Sequence, residues 1–408
     1  MLENIDCWLY ILKYVDLKDQ LSLTEISPIL NTAVHLHWRH LKQALVSEQV
    51  LRRFERQPDE LEDFLECASG ALQRLTIKGA TLQQLKCWQT AQFAKLKTLD
   101  CDLRYCEVEQ ADSETLLLTQ LFPNLISLTL NSCCTGAYLW LWTQLQELHL
   151  ICCESLDSST FGRIFSTLPL RKLSLLYYGY SANLGEQVIA ASHCATLEQL
   201  VIDDHHLLGD FLLNLLELPN FQRLAFYTRD YHEWLLQTTA KLQPLRVESL
   251  LFNDAFWSST HVSNAILAMT NLQRLVLYDD DIETQLLAKL CAKLPRLKQL
   301  HLLKMRELPT ATQIWDMVCN CGSLKLLNLS HSKLDPQFLE LSQMAIKRVF
   351  YRRKTCLTLQ LHQTFLANSA QQTIDALQHA KLHIIFDPVD LELWSTRFVE
   401  VQLKPIEN

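Results

Sequence analysis

Glycine and proline are scarce in this sequence, which has only 8 Gly and 11 Pro among its 408 residues. That composition excludes a collagen-like chain and a long flexible linker. The few glycines form no phosphate-binding loop and no Gly-x-Ser-x-Gly nucleophile elbow, and no His-Glu-x-x-His metal motif occurs. The sequence therefore offers no motif for catalysis, and we expect a non-enzymatic protein without a cofactor.

Positive charge and long apolar runs are also in short supply. The chain has 37 Lys and Arg against 45 Asp and Glu, a net charge of -8, so we expect no nucleic-acid partner. The most apolar stretch, 116–130, contains Pro123 and Asn124 and falls short of the roughly 20 apolar residues of a membrane span. Because Glu3 and Asp6 stand where a secretory signal would be basic, we expect a cytoplasmic or nuclear protein without a membrane partner.

Leucine is the abundant residue, at 84 of 408 positions. A pattern apolar-x-x-apolar-x-apolar recurs about every 25 residues. Each triplet predicts a short strand, and the segments between triplets have helical spacing. Since one such unit cannot bury its own apolar face, the units must stack into a parallel sheet with helices on one side. The triplets begin at Leu72, Leu96, Leu125, Leu145, Leu170, Leu197, Phe221, Val247, Leu272, Leu297 and Leu324.

Cysteine follows the last strand leucine of two repeats by three positions, as Cys133 after Leu130 and Cys153 after Leu150. At these residues the sequence resembles the cysteine-containing branch of the leucine-rich-repeat family. The resemblance implies an α/β solenoid with parallel strands on its concave face and helices on its convex face. We assign the repeats to residues 72–346, degenerate repeats and a C-terminal cap to 347–408, and a helical linker or degenerate repeat to 43–71.

Residues 1–42 do not follow the repeat and form three short helical patterns. Trp8, Ile11, Leu12 and Val15 share one helix face, a second helix can begin near Asp19, and Ser27-Pro28 is a helix start. About forty residues cannot bury this many apolar side chains alone. The surplus predicts a docking partner or contact with the rest of the chain.

This N-terminal segment resembles the F-box, through the residues from Asp6 to Val15, from Leu17 to Leu23 and from Val34 to Arg39. The resemblance implies a substrate receptor of a cullin-type SCF ubiquitin ligase, a monomer that binds the Skp adaptor and the cullin scaffold within a hetero-complex. The repeats would then hold a protein substrate. The residues expected to bind the adaptor are Trp8, Leu9, Ile11, Leu12, Val15, Leu21, Ile26 and Pro28.

Side chains between the strand leucines alternate with them and point away from the buried set, so they are the expected substrate-reading surface. Aromatic residues in the loops after the strands extend that surface. The residues expected to bind substrate are Tyr178, Asp203, Tyr227, Arg229, Asn253, Trp257, Arg274, Tyr278 and His301.

Two other interpretations stay open. Asn4 stands where the F-box pattern has proline, which favours an interaction scaffold that no longer engages the ligase. A zinc site made by the pairs Cys133-Cys134 and Cys152-Cys153 lacks the usual gap of two to four residues between ligands, so we predict no metal. The 14 cysteines are spread along the chain and are expected to be reduced thiols.

Overall fold

The computed structural model describes residues 4–103, 108–152, 155–176, 194–207, 210–228, 231–253, 259–279, 284–305, 307–335, 338, 348–351, 353–364, 379–388, 391 and 397–406. The chain divides into two compact units, which we call unit 1 (Met1–Glu198) and unit 2 (Gln199–Asn408). The boundary between the units falls inside the segment 72–346, which the sequence assigns to the repeats, so the two units do not correspond to the four expected segments. Both units are α/β, and their strands are mostly parallel.

Three short helices open unit 1, as the sequence predicts. They are α1 (Ile5–Ile11), α2 (Leu17–Thr24) and α3 (Pro28–Trp38), with a 3-10 turn at Leu12–Tyr14 after α1. Asn4, Asp16 and Ser27 cap these helices by accepting backbone N–H groups of the first turn, and the predicted Ser27-Pro28 start is confirmed.

These three helices share a core with the next two, α4 (Glu48–Arg56) and α5 (Pro58–Ala68). The Trp38 ring, 1% exposed, lies 5.3 Å from the Phe64 ring, and its Nε1 donates to the buried Gln20 Oε1 at 2.7 Å. Arg53 of α4 donates to Glu60 and reaches Glu25 at 2.5 Å, which ties the helices together. Part of the apolar surplus of residues 1–42 is therefore buried inside the chain.

Six parallel strands follow in unit 1, in the order β1 to β6. The first was not expected from the sequence, because it lies before the first leucine triplet. The strands are β1 (Gln43–Val46), β2 (Arg74–Ala80), β3 (Thr98–Leu103), β4 (Ser127–Asn131), β5 (Glu147–Ile151) and β6 (Lys172–Leu176). Helices α4 and α5 lie between β1 and β2, and the later connections contain α6 (Leu82–Lys86), α7 (Val108–Leu121) and α8 (Ser158–Thr167).

Unit 2 continues the alternation of strands and helices. Its parallel strands are β7 (Gln199–Asp203), β8 (Arg223–Tyr227), β9 (Val247–Asn253), β10 (Arg274–Tyr278), β11 (Gln299–Leu303), β12 (Leu326–Asn328), β13 (Leu357–Gln360) and β14 (Leu382–Ile385). Its helices are α9 (Asp210–Glu217), α10 (His232–Leu242), α11 (Thr260–Ala268), α12 (Thr284–Lys293) and α13 (Ala311–Asn320). A strand lies at each of the eleven predicted triplets, and the strand prediction is confirmed there.

The last strand, β15 (Phe398–Leu403), lies between β8 and β9 and runs antiparallel to both. The sequence assigns this region to a C-terminal cap, whereas in the structure it is a strand inside the sheet. Val399, Val401 and Leu403 are at most 4% exposed, because β15 completes the apolar layer beneath the helices of unit 2. Strands β13 and β14 lie in the segment 347–408, where the sequence predicts degenerate repeats.

Candidate protein-binding surfaces

The N-terminal helices expose large apolar side chains. Helix α1 buries none of its seven residues fully. Monomeric proteins seldom leave several large apolar groups together in water without a use for them. The exposed set, called here the N-terminal apolar surface, consists of Tyr10 (62% exposed), Ile11 (43%), Tyr14 (77%), Ile26 (67%) and Ile29 (39%).

The predicted adaptor-binding residues divide between this surface and the core. Ile11, Ile26 and Pro28 are exposed, and Trp8, Leu9 and Val15 are half-buried. Leu12 and Leu21 are completely buried, so they build the interior of the helical group and leave nothing for a partner to contact. The aromatic residues Tyr10 and Tyr14, whose rings lie 5.7 Å apart, belong to the surface, although neither is among the residues expected to bind the adaptor.

Unit 1 presents a polar strand face. Along β3, β4 and β5 the side chains alternate between buried and half-exposed, as expected for a sheet that is covered on one side. The Lys78 ammonium lies 3.0 Å from the Asp100 carboxylate, and Lys172 lies 2.7 Å from Glu147. We call this the unit 1 strand face; its members are Thr76, Lys78, Asp100, Asp102, Thr129, Asn131, Glu147, His149 and Lys172.

In unit 2 the corresponding strand face is covered and carries a cluster of apolar side chains. Leu251, Val276, Leu303 and Phe398 form a buried cluster, against which Tyr227, Tyr278 and Leu391 pack. Phe398 belongs to β15, where it is paired in register with Tyr227 of β8 and Asn253 of β9. The strands of unit 2 therefore carry buried apolar side chains on both faces.

The residues predicted to bind substrate in unit 2 are buried or half-buried where the structure describes them. Asp203, Asn253 and His301 are 3%, 5% and 5% exposed, which corrects their assignment to an open surface. Tyr227, Arg274 and Tyr278 are half-buried. Strand β15 separates Tyr227 from Asn253, and Asn253 pairs in register with Tyr278. Tyr178, Arg229 and Trp257 lie outside the described residues.

A hydrogen-bonded network fixes the buried polar groups of this covered face. Asn328 accepts from the Ser330 N–H at 3.0 Å, so its amide nitrogen donates to Gln360 at 2.9 Å and to His301 Nδ1 at 3.3 Å. Burial, with the positive charge of Arg274 as a second cause, lowers the pKa of His301 to about 4. The imidazole is thus neutral at physiological pH, and it serves as part of the core.

The sequence does contain a signal for this burial. Strands covered on both faces appear as continuous apolar runs, whereas strands covered on one face alternate. The runs 200–202, 224–226, 250–252 and 275–277 are continuous, and the sequences of β3 to β5 alternate. Counting leucines in triplets does not distinguish the two cases.

Cysteines and metal ligands are the remaining chemical candidates. Burial raises the pKa of the Cys134 thiol, Cys133 is half-buried, and Cys153 lies outside the described residues. In the part of the chain that the structure describes, no three His, Cys, Asp or Glu side chains are grouped to hold a metal ion. None of the helices described here has both the length and the hydropathy of a membrane span.

Neither the protein-family models nor the curated proteins compared with this chain match it.

Proposed function

We propose that this chain is a non-catalytic substrate receptor of a cullin-type ubiquitin ligase. In this proposal the N-terminal apolar surface binds the Skp adaptor, as the resemblance of residues 1–42 to the F-box implies. The repeats, which resemble leucine-rich repeats, hold a protein substrate. The catalytic steps take place on other subunits of the ligase.

The exposure of the N-terminal apolar surface carries this proposal. Tyr10, Ile11, Tyr14, Ile26 and Ile29 all belong to the segment with the F-box resemblance. Aromatic and aliphatic side chains of this kind are the usual anchors of protein interfaces. A surface of this composition suits a protein partner.

The unit 1 strand face supports the substrate-binding half of the proposal. Its side chains combine both signs of charge with Thr, Asn and His, and most are half-exposed. Mixed polar surfaces of this kind form the rim of protein interfaces and set their specificity. We expect the substrate to contact this face and not the covered strand face of unit 2.

Point substitutions on the apolar surface test the adaptor contact. Removing residues 1–42 would also remove Trp38 from the buried Phe64, so deletion would confuse lost binding with lost folding. Ile26→Asp changes a side chain that is 67% exposed. We expect it to weaken adaptor binding by about 2 kcal/mol or more, measured as loss of the Skp adaptor and cullin from the purified complex.

Leu245→Asp is the matched control, because Leu245 is 61% exposed and lies in unit 2. It should leave the captured adaptor unchanged. Equal recovery of the adaptor with Ile26→Asp and Leu245→Asp would show that the N-terminal apolar surface does not bind it.

A second candidate function is an interaction scaffold that is independent of the ligase. Asn4 favours it: this residue caps α1, its side chain accepting the Asp6 N–H at 3.0 Å, at the position where the F-box pattern has proline. In this case neither the adaptor nor the cullin accompanies the unmodified chain. The same purification therefore separates the two functions.

A further inference from the structure

A groove in unit 1 lies between the first strand and the N-terminal helices. It has a volume of about 1110 Å³. Its lining comes from α2 and the residues just before it, from the end of α3 and the residues just after it, from β1 and β2, and from the start of α4. Leu12, Val15 and Leu17 contribute apolar groups from the helical side. On the strand side, Leu45 is 55% exposed.

Strand β1 is the end strand of the unit 1 sheet, and among the described residues it pairs with β2 alone. The Lys42 C=O accepts from the N–H groups of Gln73 and Arg74 at 2.8 and 3.0 Å, so it faces β2. In a trans peptide the C=O of one residue and the N–H of the next point to opposite sides, so the N–H of Gln43 faces the other edge. An unpaired strand edge of this kind can accept another strand.

This free edge borders the groove. Gln43, Ala44 and Leu45 all line it, although successive side chains of a strand point to opposite faces. The backbone of β1 must therefore be accessible from the groove.

The charge of the groove is opposite to that of the protein. Lys13, Lys18, Lys42 and Arg74 line it, and none of them forms an ion pair with a described residue. The acidic residues in the lining are Asp16 and Asp19, and the Asp16 carboxylate already caps α2 by accepting the Asp19 N–H at 2.8 Å. The chain as a whole carries a net charge of -8.

We propose that an extended, acidic segment of a partner protein binds in this groove by adding a strand to the free edge of β1. Its backbone pairs with Gln43 and Leu45, and its carboxylates lie beside Lys18, Lys42 and Arg74. Main-chain hydrogen bonds supply affinity in this mode of recognition, and the side-chain contacts supply specificity. A second copy of this chain suits the groove poorly, because its own β1 edge would place the same cations against these.

Three labelled peptides and the full chain test this proposal, which does not depend on the proposed function. The first peptide alternates Val and Glu, and the second alternates Val and Lys. The third repeats the Val–Glu sequence with N-methyl groups on two consecutive central residues, so that neither of its edges can pair completely. Fluorescence anisotropy should show the first peptide binding at least about tenfold more tightly than the other two, and binding should weaken with salt.

Variants of the protein locate the site. Lys42→Glu should weaken binding of the Val–Glu peptide by about tenfold. Lys325→Glu is the matched control, because Lys325 is also an exposed lysine directly before a strand, with its C=O accepting the Thr358 N–H at 2.7 Å. Leu45→Pro should also weaken binding, since it removes an N–H of the free edge. If Leu45→Pro does not fold, Lys42→Glu and the methylated peptide still decide the matter.

Three results would overturn the proposal. The first is no binding of the Val–Glu peptide to the unmodified chain. The second is equal binding of the Val–Lys or the N-methylated peptide. The third is equal binding of the Val–Glu peptide to the Lys42→Glu and Lys325→Glu variants.

Discussion

The two units place different side chains at equivalent strand positions. In unit 1 the register aligns Asp100, Thr129 and His149, and all three are half-exposed. In unit 2 the register aligns Leu251 and Val276, which are 6% and 0% exposed. The face opposite the helices is thus a surface in unit 1 and part of a core in unit 2.

This difference shows that a repeated strand–helix pattern does not by itself define a binding surface. The apolar set that the triplets identify is buried in both units, because it packs beneath the helices. What differs is the intervening position. Along β3 to β5 it is polar and half-exposed, whereas in unit 2 it is buried both where it is apolar, as at Val276, and where it is polar, as at His301 and Asn328. In unit 2, Leu391 packs against the buried cluster to which Phe398 of β15 belongs.

Truncation after Arg397 is the strongest test of this comparison. It removes β15, and with it the burial of Phe398, Val399, Val401 and Leu403. Each such side chain contributes about 2 kcal/mol, and domains are stable by only about 5–15 kcal/mol. We expect unit 2 to lose its stable structure, measured as rapid amide hydrogen exchange in β8 to β11.

Unit 1 is the internal control in this experiment, and its strands β2 to β5 should keep their protection. If β8 and β9 exchange as slowly in the truncated chain as in the full one, then β15 is not an integral strand of unit 2.

A matched pair of lysine substitutions tests the two faces directly. Val276→Lys puts an ammonium group into the buried cluster of unit 2, where Val276 is 0% exposed. Thr129→Lys puts the same group beside the half-exposed Asp100 in unit 1. We expect the free energy of unfolding to fall by about 4 kcal/mol for the first and to change by about 0.5 kcal/mol or less for the second.

Urea unfolding, followed separately in each unit, measures both values. If both substitutions change the free energy of unfolding by a similarly small amount, the unit 2 face is open to water. It would then again be a candidate surface for binding substrate.

Much of the fold could be predicted from the sequence, because it depends on short-range patterns. The leucine triplets locate eleven strands, and Ser27-Pro28 locates the start of α3. Strand β1 could not be predicted in this way, since Gln43–Val46 has no triplet and pairs with β2 only through the parallel register. The insertion of β15 depends on contacts between residues more than 140 positions apart, such as Gln402 with Ser249, which no local pattern records.

The candidate surfaces were predicted less well, because exposure is a property of the packed chain. Ile11 and Ile26 are exposed, as the docking hypothesis requires. Leu12 and Leu21 have equally apolar side chains, yet they are buried. Asp203, Asn253 and His301 are polar residues on strands, and polarity alone suggests a surface. Their burial depends on tertiary packing: His301, for example, lies in register between Val276 and Asn328, which are both buried.

His301 provides the most delicate test, because its burial makes the stability of unit 2 depend on pH. Its pKa is lowered to about 4 in the folded protein from an ordinary 6.5. Between these values the unfolded chain binds more protons than the folded one, so the free energy of unfolding falls as pH is lowered. From about pH 7 to about pH 5 the loss should be about 2 kcal/mol.

His301→Gln, which cannot titrate but can still accept from Asn328, should remove this part of the pH dependence. An unchanged pH dependence in that variant would show that His301 is solvated and that the unit 2 face is not closed over it.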